Sequence, residues 1–82
     1  MILGGLVPAF LVAGAGAVLA SVRPIEDGEA TTFQRGFYER FICTGSPSRS
    51  LVECQRACLR GELGTEMVSP RAWAFYVVYG VD

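Results

Sequence analysis

The chain opens with an uncharged run, MILGGLVPAFLVAGAGAVLASV, in which large and tiny apolar residues mix and Ser21 is the only polar side chain before Arg23. A helix from Met1 to Val22 would reach about 33 Å, close to the thickness of a bilayer's hydrocarbon core, so the pattern predicts a single transmembrane helix over residues 1–23. Pro8 lacks a backbone donor and either starts the regular helix or kinks it. Taken every fourth residue, Gly5, Ala9, Ala13, Ala17 and Ser21 form a ridge of small side chains. Such a ridge lets two helices approach closely in lipid. A cleaved secretory signal competes with this reading, because Val18 and Ala20 resemble the small residues before a cleavage site. The absence of a basic n-region and the length of the apolar run weigh against cleavage.

Beyond Arg23-Pro24 the pattern changes to short segments, and residues 24–82 read as one extramembrane, partner-binding part. IEDGEATT is a connector, and Thr31 with Gln34 has the form of a capping box, which predicts a helix over about 32–43. Phe33, Phe37 and Phe41 recur every four residues on it and make one side aromatic. CTGSPSRS is turn chemistry, and Ser50 with Glu53 predicts a second helix over about 51–60. In the final SPRAWAFYVVYGVD, Trp73, Phe75, Val77 and Tyr79 alternate with Ala74, Tyr76 and Val78. Apolar side chains on both faces predict an extended tail over 71–82. The expected fold class is therefore mainly α: one N-terminal transmembrane helix, two short amphipathic helices and an extended apolar C-terminal tail. A segment this small is not expected to hold an independent globular core. Phe33, Phe37, Phe41, Trp73, Phe75 and Tyr79 are then candidates for binding a partner.

Cys43, Cys54 and Cys58 raise two chemistries. Zinc is disfavoured, because a closed site wants four ligands and the chain has no histidine. For a disulfide, Cys54 and Cys58 project side by side along the second helix, so Cys43 is the better partner for either; three buried free thiols are the alternative. A bridge would imply an oxidising compartment.

Composition narrows the function. The net charge is -1, from 7 basic and 8 acidic residues among 82, which gives no basic face for nucleic acid. The missing histidine removes the commonest general base. No nucleophile–base pair or phosphate loop is legible, so catalytic residues, cofactors, metals and a small-molecule substrate are not expected, and the chain is read as a non-enzyme.

Four features together, LVPAFLV, the arginine of SVRP, YERFICTG and the aromatic FYVVYG, resemble the MWFE-type single-span accessory subunit of mitochondrial NADH:ubiquinone oxidoreductase, complex I. The sequence departs from that pattern where Phe41, Ile42 and Cys43 replace a basic run, and in the added cysteine helix. The resemblance implies a non-catalytic subunit of the mitochondrial inner membrane. It would pack on other subunits of a large complex and on membrane lipid, supporting assembly and stability of the respiratory chain. Alternatives are a small subunit of cytochrome oxidase, cytochrome bc1, ATP synthase or a thylakoid photosystem, or a secreted cysteine-stabilised peptide if residues 1–20 are cleaved.

Overall fold

The computed structural model of the chain describes residues 6–7, 10–12 and 16–80, with side chains from residue 16 onward. In chain order the elements are β1 (Leu6–Val7), β2 (Phe10–Val12), β3 (Val18–Ser21), β4 (Ile25–Glu26), α1 (Asp27–Thr44), α2 (Pro47–Leu59) and β5 (Tyr76–Tyr79). Two short 3-10 turns, Thr65–Met67 and Pro70–Ala72, lie between α2 and β5.

The expected transmembrane helix is not found. Among the described residues no helix is long and apolar enough to cross a membrane. The uncharged opening run instead supplies strands. β2 pairs antiparallel with β3, placing Phe10 opposite Ala20 and Val12 opposite Val18, and β1 pairs with β4 through Leu6–Glu26 and Val7–Ile25. β3 also pairs antiparallel with β5, from Val18–Tyr79 to Ser21–Tyr76, so it is the middle strand of the order β2-β3-β5. The physical reason is that an uncharged run of Val, Leu, Ala and Gly satisfies a sheet as readily as a span, and β-branched valines fit the pleated surface. Gly16, at φ 80°, takes the left-handed conformation on the way into β3, which a regular helix would not allow. Of the spacing-of-four ridge, Ala17 is buried just ahead of β3 and Ser21 is the last residue of β3, so neither lies on a helix. Gly5, Ala9 and Ala13 lie outside the described residues.

Both helices exist but start earlier than the capping boxes predict. Glu26 caps α1, its carboxylate accepting the Glu29 amide at 2.9 Å, and Ser46 caps α2 by accepting the Arg49 amide at 3.1 Å, with Pro47 in the first turn. Each arrangement satisfies one of the orphan amides of a helix start. The Thr31 hydroxyl turns back to the Asp27 carbonyl, and the Ser50 hydroxyl is buried against that of Thr44 at 2.8 Å. α1 ends at Gly45, which adopts φ 69° and donates its amide to the Phe41 carbonyl at 2.8 Å.

The chain has a core of its own, contrary to expectation. Ala17 and Leu19 before and on β3, Tyr76 on β5, Phe33 and Phe37 on α1, Cys54 and Cys58 on α2, and Ile25, Met67 and Ala72 meet in it, with Phe41, Trp73 and Val78 partly buried against it. The Phe33 and Tyr76 rings stack at 4.1 Å, nearly parallel. Burying Phe33 and Phe37 fully contributes about 1.5–3 kcal/mol for each side chain. α1 and α2 approach closely at Gly36, where an added methyl group would come within 3.0 Å of Leu63 and 3.2 Å of the Cys54 sulfur.

Candidate functional site

Where β4 runs into α1, the backbone turns from extended to helical within two residues, and this corner carries the chain's most concentrated charge. Glu26 is fixed as the N-cap; the amides of Glu29 and then Gly28 hold its carboxyl below the ordinary carboxylate value. Glu29, one turn later, is only 8% exposed. Its carboxylate accepts a hydrogen bond from Arg71 at 2.9 Å, and the Arg71 side chain, carried on the second 3-10 turn, is 66% exposed. On the far wall the Arg23 guanidinium lies 5.2 Å over the Phe75 ring, and the Phe75 carbonyl accepts the Val22 amide at 2.8 Å. Cation–π contact of this kind orients an arginine without neutralising it.

Between these walls lies an open cavity of about 220 Å³, lined by Arg23, Ile25, Glu26, Glu29, Arg71 and Phe75 among others. A second hollow of about 450 Å³ adjoins it, lined by Glu26, Gly28, Glu29, Thr32 and Glu66. Glu26 and Glu29 belong to both. The second hollow is walled by three glutamates and no cation, so its field favours a positive group. Among the described residues, no group of three or more His, Cys, Asp or Glu side chains is placed to hold a metal.

The residues singled out by sequence are placed elsewhere, Phe75 excepted. Phe33 and Phe37 are buried in the chain's own core, and Phe41 packs at its edge, 6.1 Å from Phe37. Trp73 is half-buried, donating its indole N–H to the Val68 carbonyl at 3.1 Å and accepting Gln55 on its own carbonyl at 3.0 Å. Tyr79 is exposed on β5, and Phe75 is the aromatic wall of the groove. All three cysteines are free thiols: Cys43 is exposed near the end of α1, whereas Cys54 and Cys58 are buried against it. The Cys54 thiol approaches the Phe33 carbonyl at 3.6 Å. Its hydrogen bond with Cys58, reinforced by burial, holds it well above the ordinary thiol value.

Glu26, Glu29, Arg23 and Arg71 carry the site, and the sequence pattern does not single them out. The only local signal is the run of acids in IEDGE, which suits the first turn of a helix. Arg71 is 42 positions from its partner and has no local signal at all.

The family model of the CHAT domain matches residues 2–81. The chain belongs to the CHAT domain family. No curated protein and no solved structure matches it. Within this CHAT chain, the segments that carried the likeness to the complex I subunit fall on other structures. YERFICTG extends from α1 into its glycine cap, the arginine of SVRP stands in the bend between β3 and β4, and FYVVYG is centred on β5. The CHAT match itself shows no relation to that subunit.

Proposed function

We propose that this chain is a non-catalytic, peptide-recognising part of a CHAT domain, whose groove at the start of α1 takes a basic side chain of a polypeptide. The family match points toward caspase-like proteolysis. That chemistry needs a cysteine thiolate with a base in hydrogen-bond reach. This chain has no histidine, its Cys54 and Cys58 are buried under α1, and Cys43 does not line the groove. Its residues supply charge and shape in place of a nucleophile.

The observation that carries the reading is the pair of adjoining hollows sharing Glu26 and Glu29, one walled by Phe75 and the other by Glu66. A guanidinium or ammonium on an apolar stem would place its stem against Phe75 and its charge between the carboxylates.

The test is titration of the chain with Nα-acetyl-arginine amide, Nα-acetyl-norleucine amide and Nα-acetyl-glutamate amide, followed by amide NMR shifts. The arginine compound is expected to move resonances of 23–29 and 71–75, less so at high salt, and the others are not. Equal shifts from the norleucine compound, or none from any, would overturn the recognition reading. Peptide cleavage by this chain that disappears in Cys43→Ser would overturn the non-catalytic one.

A further inference from the structure

We infer that Arg71 is an in-chain competitor for this groove, occupying the place of an incoming guanidinium and so lowering the affinity of the site; the inference rests on the recognition reading above. Glu29 is the buried member of the pair and Arg71 the exposed one, so the cation reaches the carboxylate from the solvent side. A ligand's cation would arrive by the same route. Arg71 also lines the first hollow together with Glu26 and Glu29, the two carboxylates that both hollows share. Arg23 does not line the second hollow and lies over Phe75.

The backbone around Arg71 does not depend on its side chain. Ala72 is fully buried and its amide bonds the Ser69 carbonyl at 2.9 Å, while the Trp73 amide bonds the Pro70 carbonyl at 3.1 Å. Releasing the Arg71 side chain therefore leaves the turn in place. Exchange of one guanidinium for another keeps Glu29 paired throughout, which matters because a buried carboxylate left alone is strongly unfavourable. An ammonium lacks the planar fork and replaces Arg71 less well. The carboxylates favour the arginine fork over an ammonium, and with Arg71 in place the groove binds either more weakly than an empty groove would.

The experiment compares wild type, Arg71→Gln and Arg71→Lys for binding of Nα-acetyl-arginine amide and Nα-acetyl-lysine amide. Arg71→Gln is expected to bind the arginine compound more tightly, on the order of tenfold, because no occupied fraction has to be displaced. Its preference for arginine over lysine should stay the same, because a competitor weakens both ligands by one factor, and Arg71→Lys should fall between in affinity. Unchanged or weaker binding in Arg71→Gln, with wild-type binding intact, would overturn this inference and leave the recognition reading standing. Absence of binding in all three proteins would overturn both. Melting curves of each variant separate competition from damage: a merely structural Arg71 would lower stability and affinity together, and Arg71→Lys would restore both.

Discussion

Tyr76→Phe should make this protein more stable. The Tyr76 side chain sits on β5 with its ring against Phe33 and the residue 4% exposed, and its hydroxyl is buried with no hydrogen-bond partner among the described residues. A buried hydroxyl without a partner costs roughly 1–3 kcal/mol in lost hydration. Deleting one oxygen keeps the ring stack and leaves a gap of atomic size, whose cost is about 0.5 kcal/mol or less at roughly 24 cal/mol per Å³. The balance is a gain of about 1 kcal/mol, or a rise of roughly 4–8 °C in midpoint for a domain of this length. Urea titrations and thermal melts at neutral pH, compared at equal m-value, measure it.

The same substitution has an alkaline signature. Burial pushes the Tyr76 phenol well above its ordinary value of 10. Above pH 10 the unfolded chain releases this proton and the folded chain keeps it, so stability from this group is complete below pH 10 and falls as pH rises further. Tyr76→Phe should remove that part of the decline. The part due to Cys54, which begins near its ordinary value of 9, should remain. A loss of more than about 0.5 kcal/mol at neutral pH would show that the hydroxyl has a partner and would refute the reasoning.

Three other outcomes follow from the packing. Gly36→Val drives a branched side chain into Leu63 and the Cys54 sulfur and should cost about 1–3 kcal/mol in urea unfolding; an unchanged midpoint would mean that α1 and α2 are further apart than described. Ser46→Ala removes the acceptor for the Arg49 amide and should cost about 0.5–2 kcal/mol, with Ser46→Asp restoring most of it. A thiol reagent should label Cys43 rapidly in the native protein and Cys54 and Cys58 only after denaturation; fast reaction of a second thiol would contradict the burial of α2 against α1.

The two helices were legible because Phe33, Phe37 and Phe41, and then Cys54 and Cys58, repeat at helical spacing. Their starts were not, since several residues in each region could cap and only the tertiary context chose Glu26 and Ser46. Thr31 and Ser50, the sequence's better-looking caps, serve other bonds inside helices that had already begun. The opening run misled for a different reason. Alanine and glycine fill most positions between the larger residues, so periods of 2 and 3.6 look alike, and the partner that makes β3 a middle strand is β5, far along the chain. The aromatic residues were read as a surface for a partner, and Phe33 finds its cover in Tyr76 of the same chain. The groove shares this origin: Glu29 and Arg71 become neighbours only when the turn before β5 folds back over the start of α1.

The middle position of β3 also fixes an order in time. Its ladder to β2 is local and can close as soon as the hairpin is made, whereas the ladder from Ser21 to Tyr76 must wait for nearly everything between them. Closing so long a loop is slow and is rewarded only at the end. On the ribosome, α1 is synthesised long before Tyr76, and until that residue emerges the Phe33 ring has no partner to stack on. For that interval the nascent chain shows an apolar face of the kind that chaperones hold, and the addition of β5 is what withdraws it.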